Sequence, residues 1–147
     1  MKTTRLLLPL LLLAAVTSLP SIARAADGVT VRGILISASN ESGESDRRLA
    51  AYVPNLKRIL RFESFRFLGE DSATLGVPAG GHLALGSGHR IELASEAIDG
   101  KTILIKVRWP AGNVRHEYVL HRGVPTILGG PSTGHAGEVY AVILIGR

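Results

Sequence analysis

The segment Gly130-Pro131-Ser132-Thr133-Gly134 matches G-x-S-x-G, the pattern of the nucleophile elbow in serine hydrolases. In that motif a strand enters a sharp turn, a helix follows, and the acidic residue and histidine of the triad come later in the chain. Here a strand-like run, "EVYAVILI", follows the glycines, and the nearest later partners are His135 and Glu138. We therefore predict a loop at the rim of a sheet that contacts a ligand. The loop residues that a ligand would meet are Gly130, Ser132, Thr133 and His135.

Two other chemical patterns are incomplete. Gly100-Lys101-Thr102 resembles the end of a phosphate-binding loop, but Ser95 stands where the first glycine is required and a strand follows. His116-Glu117 begins like a zinc-binding H-E-x-x-H helix, but the second histidine comes one residue late, at His121. On a strand these two histidines point to opposite faces, and we expect His116 to be half-buried. The sequence thus predicts no catalytic residue, metal ligand or cofactor-binding residue.

A basic segment is the next candidate for a binding site. Between residues 47 and 66 there are six basic residues and a single acidic one, Glu63. Such an asymmetry favours an anionic partner, although charged runs are commonly only a solvated helix face. The residues that we expect to bind that partner are Arg47, Arg48, Lys57, Arg58 and Arg61.

The N-terminus has the pattern of a secretory signal peptide. Lys2 and Arg5 precede the apolar run from Leu6 to Val16, and Ala23-Arg24-Ala25 is a small-x-small cleavage site. We predict that residues 1–25 are removed and that residues 26–147 form a single β-rich domain. The protein is then expected to be exported, either periplasmic or secreted, with no transmembrane span in the mature chain.

Charge and cysteine content restrict the class of protein. Without the signal peptide the chain carries 14 basic and 12 acidic residues, and the whole sequence contains no cysteine. This small excess of positive charge does not favour nucleic acid as a partner. Because no disulfide can form, the fold depends on its apolar core.

The hydrophobic pattern predicts an α+β, strand-dominated fold. A strand at Val29–Ser37 is followed by Asp46, a good helix cap, and by an amphipathic helix from Arg47 to Leu60. Pro54 lies inside that helix, and we favour one kinked helix over two short turns. The following residues alternate with period two and are separated by glycine- and proline-rich turns, which predicts an antiparallel β-sandwich or partly open barrel. We expect the last strand, Val139–Ile145, to pair with the first strand at the sheet centre.

Strand register can be predicted for two hairpins. A four-residue turn at Pro110–Asn113 aligns its strands so that like faces meet. The predicted opposite pairs are Trp109 with Val114, Arg108 with Arg115, Val107 with His116 and Lys106 with Glu117. For the preceding hairpin, a bulged three-residue loop at residues 99–101 is predicted to place Ala97 opposite Ile103 and Leu93 opposite Val107.

These observations favour a small exported binding or assembly module without catalytic activity. It would act through the basic helix face, a sheet edge or the glycine-rich loop, on another envelope or extracellular protein or an anionic surface. One alternative is a small hydrolase whose site combines Ser132 and His135 with Glu138 or His121. A less favoured alternative is a small outer-membrane β-barrel, for which an aromatic content of 5% is low.

Overall fold

The computed structural model describes residues 28–76, 79–98 and 102–147. The predicted signal peptide, residues 1–25, and the predicted bulged loop at residues 99–101 lie outside these ranges. Within them the chain forms eight strands, one α-helix and two short 3-10 helices.

Two four-stranded antiparallel sheets make up the fold. The first, sheet A, has the strand order β2-β1-β8-β7, and the second, sheet B, has the order β3-β4-β5-β6. In chain order the elements are β1 (Val29–Ser39), a 3-10 helix (Arg47–Leu49), α1 (Val53–Leu60), β2 (Ser64–Leu75), β3 (Ala79–Gly86), β4 (His89–Ile98), β5 (Thr102–Trp109), a second 3-10 helix (Pro110–Gly112), β6 (Val114–His121), β7 (Thr126–Ser132) and β8 (Glu138–Gly146). The α+β, strand-dominated prediction is confirmed, and of the two arrangements left open the chain adopts the sandwich.

Sheet A is buried on both faces. Leu35 and Val142 belong to the core between the sheets, whereas Ile36 and Ile143 belong to a second core that also contains Leu56 of α1. Strands β1 and β8 therefore carry apolar residues at successive positions, as strands covered on both sides do. The predicted pairing of the first strand with the last is confirmed, over nine residue pairs.

The predicted single kinked helix is wrong in one respect, because two helical segments replace it. The 3-10 helix begins after Asp46, whose carboxylate accepts a hydrogen bond from the Arg48 amide at 3.0 Å, and this confirms the predicted cap. A turn then separates it from α1, in which Pro54 occupies the first turn. A proline there removes no helical hydrogen bond, whereas in the middle of a continuous helix it would.

The β5–β6 register is confirmed at all four predicted pairs. In the β4–β5 hairpin Leu93 lies opposite Val107 as predicted, but Ala97 lies opposite Leu104 rather than Ile103. The register shift makes Glu96 the extra residue of a bulge inside β4. The bulge leaves the Glu96 carboxylate exposed, 2.7 Å from the Lys106 ammonium nitrogen.

Gly130 allows strand β7 to pass directly over the buried Trp109. A Cβ atom at Gly130 would overlap the indole ring and would lie 2.8 Å from the Tyr140 carbonyl oxygen. Beside it, a Cβ at Gly112 would lie 2.9 Å from Cδ of Pro131. The first part of the glycine-rich segment is therefore packed strand, which closes one end of the core.

Replacement of Gly130 by alanine is expected to destabilise the fold by about 1–3 kcal/mol, because the added methyl group displaces the indole or the β8 backbone. Gly129→Ala is the matched control, since a Cβ at Gly129 meets no atom within 4 Å. Urea unfolding of both variants measures the difference. Equal stability of the two variants would contradict this account of the packing.

Candidate functional site

The predicted basic residues lie in the helical layer over the outer face of sheet A. Arg47 and Arg48 are in the 3-10 helix, and Lys57 and Arg58 are in the last turn of α1. Arg61 ends the helix in a left-handed conformation, with φ of 58°. All five side chains are exposed.

Arg48 differs from the other four because its charge is already paired. Its guanidinium donates two hydrogen bonds to Asp46, at 3.1 and 2.8 Å, and lies 4.0 Å from the centre of the Phe67 ring. These hydrogen bonds from Arg48 lower the pKa of Asp46 to about 2. Arg48 therefore holds the start of the helical layer in place.

The other four residues define the basic helical face: Arg47, Lys57, Arg58 and Arg61. Within the described ranges none of them forms an ion pair, and Arg58 donates a hydrogen bond only to the side chain of Asn55, at 3.3 Å. Ile59 lies among them in the sequence and is 51% exposed. This face thus combines unpaired positive charge with an exposed apolar side chain.

The glycine-rich loop holds Ser132 by backbone contacts. The Ser132 hydroxyl accepts a hydrogen bond from the Gly134 amide at 3.2 Å and donates one to the Glu138 carbonyl oxygen at 3.4 Å. The Thr133 hydroxyl likewise accepts from the His135 amide, at 3.3 Å. These contacts are typical of turn-forming Ser and Thr residues.

A catalytic serine needs a base within hydrogen-bond reach. In the described part of the chain no hydrogen bond joins the Ser132 hydroxyl to the imidazole of His135. His121, the other histidine of the hydrolase alternative, ends strand β6 in sheet B, whereas Ser132 ends β7 in sheet A. The arrangement thus gives Ser132 a role in shaping the loop.

The sheet edges differ in accessibility. Along one side of the sandwich β2 and β3 lie together: the Asp71 carboxylate accepts a hydrogen bond from the Ala84 amide at 2.9 Å. At the other side β7 is interrupted by Pro131 and by a register shift. Strand β6 pairs with β5 along its full length, and no other described strand pairs with its second edge.

Because β6 is an edge strand, His116 is exposed, and its predicted half-burial is wrong.

The outer face of sheet B carries a concavity of 790 Å³. It is lined by charged residues of β4, β5 and β6, among them Arg90, Arg108 and Arg115. No motif in the sequence marks these three arginines as a binding site. The available signal was the predicted pairing of Arg108 with Arg115, because like charges directly opposite each other are unfavourable.

His89 is the one described histidine that lies in the core, with 8% of its surface exposed. Its Nδ1 accepts a hydrogen bond from the indole N–H of Trp109 at 3.2 Å, and its ring lies 4.3 Å from that of Tyr140, centre to centre. Burial lowers the pKa of His89, because the charged imidazolium loses its hydration. The neutral form is also the one whose Nδ1 can accept the hydrogen bond from the Trp109 N–H.

Acid is therefore expected to destabilise the protein through His89. As the pH falls below the ordinary histidine pKa of about 6.5, the unfolded chain binds a proton that the folded chain does not, so the free energy of unfolding falls. His89→Gln retains an acceptor for Trp109 without titrating, and should lose less stability than the natural protein between about pH 7.5 and pH 5. Urea unfolding at both pH values measures this, with His116→Gln as the exposed control. A pH dependence unchanged by His89→Gln would contradict the assignment.

In the described ranges no helix is long and apolar enough to cross a membrane, and no three His, Asp or Glu residues cluster in a way that could hold a metal ion. No protein-family model, curated protein or solved structure matches the chain.

Proposed function

We propose that this chain is a small exported binding module, without catalytic activity, that docks on an acidic protein of the envelope or the extracellular space. The observation that carries the proposal is the basic helical face, whose four exposed cations form no ion pair among the described residues and which includes the exposed Ile59, next to Arg58 in the sequence. Arginine is enriched at the energetic centres of protein interfaces, and the buried core of an interface is more apolar than its rim. The export of the module is proposed from the N-terminal sequence pattern.

A protein partner fits this face better than a lipid surface does. An interfacial helix inserts its apolar side between lipids. In α1 that side is already occupied, because Leu56 is fully buried against sheet A and Val53 and Leu60 pack against the same core. The charged residues that α1 exposes, Lys57 and Arg58, are both positive, which favours encounter with an acidic protein.

The turn contacts of Ser132 support a non-catalytic role. Its hydroxyl donates to a backbone carbonyl and accepts from a backbone amide, so a substrate would have to disrupt the loop to engage it. The loop then serves to connect β7 to β8 and to shape the rim of the sandwich.

Export has a direct test. Expression of the full chain in a host with a secretory pathway is expected to yield a protein that begins at Ala26, because cleavage follows Ala25. Intact-mass measurement of the purified protein gives the N-terminus. A protein of full mass in the cytoplasm would contradict the export proposal.

The docking face is tested by a charge reversal, Arg58→Glu with Arg61→Glu. The full chain, carrying a C-terminal tag, is used to capture proteins from envelope extract, and the captured protein is identified and purified for a binding measurement. We expect the reversal to weaken binding at least about tenfold, because two attractive charges become repulsive. Binding by the natural protein should also weaken in about 0.5 M salt.

The control variant, Arg90→Glu with Arg115→Glu, makes the same change in net charge on the outer face of sheet B. It is expected to bind the acidic protein as the natural chain does. Equal binding by the helix variant and the natural chain would contradict the proposal. So would a natural protein that binds phosphatidylglycerol vesicles but no acidic protein.

A further inference from the structure

The outer face of sheet B is polar because the sheet covers the core with its other face only. In β5, Ile105, Val107 and Trp109 are buried, and the intervening Lys106 and Arg108 are exposed. The register aligns outward residues into rows that cross the sheet. One row contains His82, Glu92, Arg108 and Arg115, and the next contains Gly80, Ala94, Lys106 and Glu117.

Charge is unevenly distributed over these rows. Lys106 is compensated by two carboxylates, Glu96 at 2.7 Å and Glu117 at 3.8 Å. At the other end of the face Arg108 pairs with Glu92 at 3.2 Å, while Arg90 and Arg115 form no ion pair within the described ranges.

The arginine end is defined by Arg90, Arg108 and Arg115. Arg90 is two residues from Glu92 on the same strand, and Arg115 is directly opposite Arg108. Glu92 is the one described carboxylate that forms an ion pair with any of these three guanidinium groups, and Glu117 lies two residues from Arg115, so positive charge is in excess at this end. Facing like charges destabilise a sheet, and an anion held between them removes that repulsion.

Small residues form the floor of the concavity. Gly80 of β3 lies opposite Ala94 of β4, in the same row as Lys106 and Glu117. Because both residues are small, neither strand fills this part of the concavity. A Cβ at Gly80 would lie 3.6 Å from the Leu93 carbonyl oxygen, an ordinary contact, so the glycine is not required by crowding. The volume of 790 Å³ is within the range of small-molecule sites.

We propose that the arginine end of this concavity binds the phosphate or sulfate group of a ligand. Guanidinium groups bind these oxyanions through paired N–H donors, and the excess of positive charge at this end favours an anionic group. The site is separate from the basic helical face, because the two lie on the outer faces of opposite sheets. It goes beyond the proposed docking function and does not depend on it.

The test is titration of the full chain with inorganic phosphate and with inorganic sulfate. Binding is monitored by amide chemical shifts and by calorimetry. Shift changes are expected in β4, β5 and β6 near the arginine end. Arg115→Gln should weaken binding at least about tenfold, because a charge-assisted contact is lost. The matched control Arg58→Gln removes one positive charge from the helical face and should leave the affinity within about twofold.

A second variant tests the shape without changing any charge. Ala94→Leu places a larger side chain at the half-buried floor of the concavity and is expected to weaken phosphate binding while thermal unfolding remains cooperative. Vesicles that contain phosphatidic acid form a third arm. Binding to both free phosphate and vesicles, or to vesicles alone, supports the site if Arg115→Gln abolishes that binding. Binding to vesicles alone indicates a lipid headgroup, whereas binding to free phosphate as well shows that the phosphate group itself is recognised.

Two results would overturn the proposal. One is that neither phosphate, sulfate nor phosphatidic acid shifts the amides of β4 to β6. The other is that Arg58→Gln weakens binding as much as Arg115→Gln does, since this would indicate only a general effect of charge. Failure of the docking proposal would instead appear as unchanged protein binding by the Arg58→Glu, Arg61→Glu variant. The phosphate site does not require these two residues.

Discussion

The burial of sheet A on both faces is the constraint on which the rest of the structure depends. Strands β1 and β8 are central in this sheet, and each presents apolar side chains to two separate cores. Such a sheet is stable only if another layer of the protein covers each face, because the stabilisation from burial increases with the apolar area removed from water. Sheet B covers one face and the helical layer covers the other.

This arrangement decides where functional residues can lie. The apolar side of α1 is used to cover sheet A, so its exposed side presents Lys57 and Arg58 to solvent. Sheet B has no second layer among the described residues, and its outer face is therefore free to carry the charged rows around the concavity. The two candidate binding surfaces are thus consequences of how the layers cover one another.

The glycine-rich segment has a structural role of its own. Gly130 brings the β7 backbone against Trp109, and the Trp109 indole donates to His89 in the core. A buried N–H without an acceptor would be costly, so His89 must remain neutral for this cluster to stay intact. The segment that resembled a nucleophile elbow therefore closes an aromatic cluster and then turns back through the backbone contacts of Ser132.

The sequence by itself determined the strand-dominated α+β class and the register of β5 with β6, which follow from local periodicity and turn length. It also indicated the central place of β1 and β8, because both strands are apolar on both faces. The choice of a sandwich over a partly open barrel came from the tertiary structure. The sequence did not determine the break between the two helical segments or the bulge at Glu96, because local propensity allows more than one solution there. Only the tertiary structure decided that β6 is an open edge with His116 exposed, and that Arg90, Arg108 and Arg115 share one outer face. The physical reason is that exposure and charge proximity depend on which strands become neighbours, and residues distant in sequence decide that.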